Sequence, residues 1–504
     1  MVLIGRGENM EFNFSERMHL SCPVEKEFYM KKGIKSILIE IQAITKLDCL
    51  FYMWIFDSNG VLRVQHLLKN TKEELVVSDN AKNCSKGVYP GEIVSGKWKI
   101  VLFTEKSDKY IEYRLKIKLN KEVYTEKYEK DYWVDYEKEN SMLSLNTYEW
   151  SKKFCNEKKW YRGDFHTHSN LSDGKMNSEM YINTAKSMKL DFAVSTEHNI
   201  LPTGWCKSND ILVIPGTEVT LKDGHFNIFG LDKFLDFKFD DSYEGMIMRI
   251  LKEQHKNKRT ICSINHPVLE FWKWKFYNVE IKYIDTWEIC NDPTYYLAKE
   301  SNDIAIKLLD ILWNDGYRIW GVGGSDSHLL PSETYDNSKD PSIIGDPCTY
   351  VYSDNLSAES ILNSVQLGNV YVARGLELEI NIYNDEIRYL PGNEININDD
   401  KISVQYGIKV SENYWQNSNG IVPLEKEKLK ALLIVNGKVV EEKSIKDKEI
   451  IFETEWKKNE FKYIRVEIRT LENEFRAYIN PIYHGIKVPE IKTFKELFCK
   501  IYIK

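Results

Sequence analysis

The 504-residue sequence lacks paired cysteines: its nine cysteines are odd in number, scattered, and include no C-x-x-C. That argues against a disulfide scaffold and fits a reducing compartment. It also lacks an apolar run of about 18 residues, so no transmembrane helix is expected. The opening stretch, MVLIGRGENMEFNFSERM, has no long apolar segment behind a basic start, and no signal peptide is expected. These absences point to the cytoplasm. An excess of basic charge is missing too. Asp and Glu (76) outnumber Lys and Arg (69), for a net charge of -7. A general nucleic-acid coat is basic, so no extended nucleic-acid surface is expected, although a local basic patch stays compatible. There is no long internal repeat and no low-complexity segment. With 42% hydrophobic and 29% charged residues, the chain reads as globular rather than disordered. Histidine is scarce, at ten residues, and its placement carries most of the functional information.

The length suggests roughly three domains of about 150 residues each. In residues 1–150, stretches such as GIKSILIEIQAI, LDCLFYMWIFDSNGVLRV and GKWKIVLFTE alternate or run apolar and are broken by turn signals, which predicts a β-sandwich-like domain. The charged, aromatic run KEVYTEKYEKDYWVDYEKEN reads as a linker or packing strap. In residues 151–375 short strands alternate with amphipathic helices, one of them N-capped at Ser178 and others stopped at Gly316 and Gly368. That alternation predicts parallel βα units closed into a barrel. In residues 376–504 strands return, including a hairpin turned at Asn436-Gly437, which predicts a C-terminal β domain. The expected fold class is thus multidomain α/β plus β.

Six of the ten histidines fall at or near predicted strand ends of the middle segment. His166 and His168, in GDFHTHSNLSDG, are two apart, so a strand aims both imidazoles to one side. Asp173 follows just past that strand. His198 closes DFAVSTEHN, and Glu218 closes ILVIPGTEV. His225 opens GHFNIFG, and His266 ends TICSINHP. Asp326 and His328 in GVGGSDSHLL again alternate. Each has a plain alternative alone: a surface H-x-H, a hydrogen-bonded strand-end histidine, or a Glu218 salt bridge to Arg or Lys. Together they place six imidazoles and three carboxylates on one predicted face. Mixed imidazole and carboxylate ligation suits Zn²⁺, Mn²⁺ or Fe²⁺, and nine ligands are enough for two or three ions.

HTHSNLSDG, STEHN, PGTEVT, GHFNIFG, INHP and GGSDSH, in that order, resemble the PHP (polymerase and histidinol phosphatase) superfamily of metal-dependent hydrolases, most closely its CehA/McbA-type branch. WEICND, IGDPCTYVYSDNLS, VQLGNVYVARG and YINPIY add to the likeness. The resemblance covers about 155–375 and extends weakly to about 484. It implies a distorted (β/α)7 barrel flanked by the two β domains and holding two or three divalent ions. Carried over, one ion would take His166, His168, Glu218 and Asp326. A second would share Glu218 and add His225 and His266, and a third would take Asp173, His198 and His328. The implied activity is hydrolysis by a metal-bridging hydroxide. Asp326 would accept a proton, and His328 or His198 would assist the leaving group.

The expected substrate is a small anionic molecule, a phosphomonoester or phosphodiester. A carboxylic or carbamic ester is the alternative, and a metal-bound binding or adaptor protein is an alternative of another class. Arg374 and Asn291 are candidate substrate contacts. Asp164 and Glu197 stand beside the ligands as candidate orienters, with a local salt bridge as the alternative, and Glu288 and Asn291 in WEICND are candidates to face the pocket. The aromatic run VLEFWKWKFYN after His266 reads either as a wall near the metals or as packing against a β domain. The sequence leaves the oligomeric state open.

Overall fold

The structure is a computed structural model. It describes the chain apart from residues 1, 5–9, 20–22, 46–48, 70–71, 81–82, 105–109, 125–130, 133–147, 206–207, 209, 236, 238–241, 396–400, 412, 417–419, 424–427, 446–448, 458–461 and 503–504. Most of the charged run expected to link the first two segments therefore lies outside the described residues.

Residues 2–120 form two antiparallel sheets. One holds Val2–Ile4, Met10–His19, Tyr110–Asn120, Ser36–Ala43 and Lys72–Ser78; the other holds Val24–Met30, Gly96–Thr104, Phe51–Phe56 and Leu62–Leu68. The sheets face one another across a shared core. The four-stranded sheet is buried on its second face as well. Along Phe51–Phe56, residues Phe51, Met53 and Ile55 point into the sandwich, whereas Tyr52 and Trp54 pack with Phe234 and Phe237 of the middle segment. Burial on both faces explains why FYMWIF runs apolar without a break.

The middle segment contains strands β1 (Lys159–Thr167), β2 (Phe192–Ser195), β3 (Leu212–Leu221), β4 (Gly224–Phe229), β5 (Ile261–Ile264), β6 (Thr286–Asn291), β7 (Trp320–Gly324), β8 (Cys348–Ser353) and β9 (Val370–Ala373). Helices α1 (Ser178–Ser187), α2 (Tyr243–Gln254), α3 (Ala298–Asp315) and α4 (Ala358–Gln366) lie between them. Further on come β10 (Leu429–Val435), β11 (Lys438–Ser444), β12 (Lys462–Thr470), β13 (Phe475–His484) and α5 (Phe494–Tyr502). All thirteen strands join one sheet in the order β7-β6-β5-β4-β3-β2-β1-β8-β9-β13-β12-β10-β11.

The expected run of parallel βα units is met only in part. β1–β2, β2–β3, β5–β6 and β6–β7 pair in parallel, but β3–β4, β4–β5, β1–β8 and β8–β9 are antiparallel. The described residues hold five α-helices in all, so the chain is multidomain and mostly β. The reason is local: β3 and β4 are joined by the tight turn Lys222-Asp223, which leaves no room for a crossover helix. The sheet nevertheless curls. The segment after β7 returns to β1 through a parallel bridge between Thr167 and Ser327, and the Asp326 N–H donates to the His166 carbonyl (2.8 Å).

Two helix signals hold and one shifts. Gly316 takes a left-handed φ of 106° behind α3, and Gly368 one of 74° behind α4. The N-cap of α1 is Asn177 rather than Ser178. Asn177 has extended backbone and its side chain accepts from the Met180 N–H (2.8 Å), while the Ser178 hydroxyl accepts from Lys86 Nζ. The Asn436-Gly437 turn has positive φ at both positions, as a type I′ hairpin requires.

The C-terminal strands are fastened to α3 by a buried ion network. Arg465 grips Asp310 of α3 with two bonds (2.8 and 2.6 Å) and Glu467 with a third (2.6 Å), and Glu467 also accepts from Arg469 (2.6 Å). Removing one partner from such a network strands the other charges in the interior. Asp310→Ala is expected to cost about 3–5 kcal/mol of stability, read as a lower urea midpoint. Gly324 is tighter still: a Cβ there would lie 2.2 Å from His166 Cβ and 2.7 Å from its backbone nitrogen. Gly324→Ala is expected to destabilise by about 3 kcal/mol or to leave the protein unfolded, checked by the same titration.

Candidate metal centre

β1 delivers the first ligands. Phe165 turns into the hydrophobic core, so its neighbours His166 and, just past the strand, His168 face the other way, both with no solvent exposure. β7 ends in glycines that let the following loop press on β1. There Asp326 sits at a φ of 49°, with its Oδ1 3.2 Å from His166 Nε2 and 3.0 Å from His168 Nε2. Glu218, fully buried on β3, lies between two groups. Its Oε2 is 3.5 Å from His166 Nε2, 3.4 Å from His168 Nε2 and 2.7 Å from His198 Nδ1. Its Oε1 is 3.1 Å from His225 Nδ1 and 3.5 Å from His266 Nε2. Asp173 Oδ1 completes a third group, 3.4 Å from His198 Nε2 and 3.2 Å from His328 Nε2.

All nine residues singled out from the sequence therefore meet at one place. Their ligand-type atoms fall into three clusters: His166, His168 and Asp326; Glu218, His225 and His266; and Asp173, His168, His198 and His328, each with its atoms within 4.8 Å of one another. The clusters depart from the expected division twice: Glu218 groups with His225 and His266 and not with the first set, and His168 also joins the third. The side chains of His166, His168 and Glu218 lie deepest. Those of Asp173 (29%), His328 (26%) and Asp326 (16%) reach solvent, so the centre opens on that side.

Three observations fit this donor set to cations. Six buried polar atoms on the ligands make no hydrogen bond: His166 Nε2, His168 Nδ1 and Nε2, Asp173 Oδ1, Glu218 Oε2 and His266 Nδ1. Buried polar atoms rarely stay unsatisfied. Next, among the described residues every ion pair of Asp173, Glu218 and Asp326 is to a histidine. Finally, the electrostatics are polarised. Burial opposes charge on Glu218, yet His198, His166 and His225 hold its carboxyl well below the usual range. Burial, with His328 and His198 beside it, pushes His168 down to about 3. His328 goes up to about 10 against burial because Asp173 and Asp326 face it.

Surrounding groups fix the imidazole orientations. His328 Nδ1 donates to the Asp326 carbonyl (2.7 Å), which can only accept, and this turns Nε2 toward Asp173. His166 Nδ1 donates to Glu288 Oε1 (3.0 Å) in the same way. Glu288 Oε2 accepts from the His266 N–H (2.7 Å) and from Asn291 Nδ2 (3.1 Å), and Asn291 Nδ2 also reaches Asp326 Oδ2 (3.3 Å). Asp164 accepts from the backbone N–H groups of His166 (3.0 Å), Ser325 (3.1 Å) and Gly345 (2.7 Å), and burial raises it to about 6. Glu197 holds the loop before Asp173 through the hydroxyls and N–H groups of Ser169 and Ser172.

Sequence reading missed Thr220, which shares a 2.6 Å hydrogen bond with His198 Nδ1, and Asn265, which donates to Glu218 Oε1 (2.9 Å). Thr220 was within reach of alternation, two residues beyond Glu218 on the same strand face.

Other candidates lie elsewhere. Arg374 is held by Asp346 through three contacts of 3.0–3.2 Å, so its charge is matched there and not offered to the centre. Arg162 donates to Cys348 Sγ (2.8 Å). The aromatic run after His266 divides. Trp274 and Phe276 are buried, with Trp274 packed on Phe494 of α5, whereas Phe271, Trp272 and Tyr277 are exposed. His66 pairs with Glu73 (2.8 Å), His484 Nδ1 meets the Ile395 carbonyl (2.7 Å), and His255 ends α2. No described helix is long and apolar enough to cross a membrane.

No protein-family model matches the chain, and no curated protein matches it. Among solved structures it is similar to a two-domain protein containing a predicted PHP-like metal-dependent phosphoesterase from Bacteroides vulgatus, at 16% identity and a TM-score of 0.34, over 64% of this chain and 95% of that one. The Clostridium perfringens CspB protease matches at 13% identity and a TM-score of 0.16, over 22% of this chain and 26% of that one. A Bacteroides uniformis β-glucuronidase matches at 10% identity and a TM-score of 0.16, over 94% and 61%. Scores this low carry no argument about fold or activity, and the functional case rests on the geometry.

Glu288→Ala removes the acceptor of His166 Nδ1 and of the His266 N–H together. It is expected to weaken divalent-ion binding about 10–100-fold, measured by titration with a competing chelator, with an unchanged circular dichroism spectrum.

Proposed function

We propose that the chain is a metal-dependent hydrolase of the PHP type, acting on a small phosphomonoester or phosphodiester. The observation that carries this is the convergence of nine imidazole and carboxylate side chains, five of which hold buried atoms without a hydrogen bond, and whose carboxylates pair, among the described residues, with histidines. The mixed nitrogen and oxygen donors fit two or three Zn²⁺, Mn²⁺ or Fe²⁺ ions. His166, His168, Glu218 and Asp326 would hold one ion, Glu218, His225 and His266 a second, and Asp173, His198 and His328 a third. When bound, such ions supply Lewis acidity and lower the pKa of water. In the same reading β1–β7, joined by the Thr167–Ser327 bridge, form the distorted (β/α)7 barrel, and residues 1–150 and 376–504 are its flanking β domains.

The chain's own groups divide the remaining work. Asp326 is partly open to solvent and accepts the proton of the attacking water at a carboxylate oxygen. His198 and His328 face each other with their Nε2 atoms 3.3 Å apart, and where His328 is not holding an ion it stands on the open side to pass a proton to the leaving group. Asn291 holds Asp326 with its Nδ2, and its Oδ1, buried and without a hydrogen bond, is left to accept from substrate. The pairing of Arg374 with Asp346 favours a second reading, a carboxylic or carbamic ester hydrolase, because it removes one cation that a phosphate would use.

Purified protein loaded with Mn²⁺ or Zn²⁺ is expected to hydrolyse nitrophenyl phosphate or bis-nitrophenyl phosphate. Chelation abolishes turnover and re-addition of metal restores it. His168→Ala lowers kcat/KM by at least about a hundredfold. Turnover of nitrophenyl acetate alone would favour the second reading, and a fully metal-loaded protein inert toward all three esters would sink both.

A further inference from the structure

The N-terminal β unit reaches the rim of the centre at the loops that carry Asp173 and His198. Leu201, three residues past His198, is held from both directions by the fully buried Gln65. Its N–H donates to Gln65 Oε1 (3.0 Å), and its carbonyl accepts from Gln65 Nε2 and from the Tyr89 hydroxyl (3.0 Å). Gly87 lies against Leu171, and Lys86 Nζ donates to Ser178 Oγ (3.1 Å). Between these contacts Lys69 Nζ donates to the Asn170 carbonyl, in the short segment between His168 and Asp173. One wall of the opening is therefore built by the N-terminal unit, and its position is set by buried contacts.

Lys69 is exposed at that wall. Burial of the ammonium lowers its pKa, Glu73, Glu197 and Asp173 act in the opposite direction, and among the described residues no ion pair includes it. Glu73, the acidic neighbour on its own strand segment, pairs with His66 (2.8 Å) and accepts the Lys69 backbone N–H (3.0 Å). An ammonium has three donors, and the Asn170 carbonyl takes one. Its contact at Asn170 lies three residues before Asp173, a ligand whose side chain reaches solvent. Neither Arg374 nor Arg162 offers charge there.

We propose that Lys69 is a substrate-binding cation, carried by the N-terminal unit to the mouth of the centre, where it receives the non-bridging oxygens of a phosphoester. This rests on the hydrolase reading above and gives the flanking domain a part in the substrate site. An ammonium at a rim contributes to binding more than to the chemical step, so its loss shows in affinity.

The test titrates inorganic phosphate into the full chain loaded with Mn²⁺, as wild type, Lys69→Gln and Lys69→Arg, with metal content measured on the same samples. Phosphate binding is expected to weaken about tenfold in Lys69→Gln and to recover largely in Lys69→Arg, at unchanged metal content. KM for nitrophenyl phosphate rises by a similar factor while kcat stays within about twofold, and neither constant moves for neutral nitrophenyl acetate. Equal phosphate affinity in wild type and Lys69→Gln overturns the proposal. So does a loss that tracks loss of metal, which would make Lys69 a loop strut. Lys69-dependent phosphate binding without ester turnover sinks the hydrolase reading and keeps Lys69, and turnover with Lys69-independent binding does the reverse.

Discussion

Glu218, fully buried, and Asp173 and Asp326, partly so, have imidazoles as their ion-pair partners among the described residues. A buried carboxylate that finds no cation is expensive, by several kcal/mol per charge. Without metal the centre can meet that cost only by protonating histidines, and the polarised titration of His328 against His168 reflects it. Divalent ions remove the conflict: they neutralise the carboxylates and bind the same imidazoles in their neutral form. Much of the surrounding architecture follows from this demand. Glu288, Asp164, Asn265 and Thr220 do not add charge compensation; they fix which nitrogen or oxygen faces inward.

The site was legible in sequence because strand periodicity is a local property. His166 with His168, and Asp326 with His328, announce a shared direction through their spacing alone, and no knowledge of the fold is needed to see it. Their convergence was less local and came from the order of the motifs. The sheet's direction was not legible. ILVIPGTEV and GHFNIFG both read as strands, but periodicity says nothing about whether a neighbour runs parallel, and the two form a hairpin. The long continuation of the sheet was also hidden. It depends on Tyr371 meeting Ile479 more than a hundred residues away, a register set by packing rather than by any local signal. Arg374 was misleading for a similar reason: a cation after a strand looks available until the partner Asp346, brought in by a separate loop, is placed beside it.

Rigidity links these two points. Reading ligands from spacing works only if the backbone delivers them without slack, and here it does so under strain. His266 and Asp326 both adopt positive φ, at 26° and 49°, a region that non-glycine residues occupy at a cost of about 1–3 kcal/mol each. Each is held there by a backbone bond from the other half of the centre: the His266 N–H by Glu288, and the Asp326 N–H by the His166 carbonyl. The Asp326 loop is pressed onto β1 at Gly324, where no side chain fits. The strain is thus local, and the restraint comes from neighbouring strands fixed in turn by large buried cores and by the Arg465–Asp310 network behind α3. Restrained this way, the three carboxylates are set against one group of imidazoles, an arrangement that a looser scaffold would lose by letting the loops drift apart.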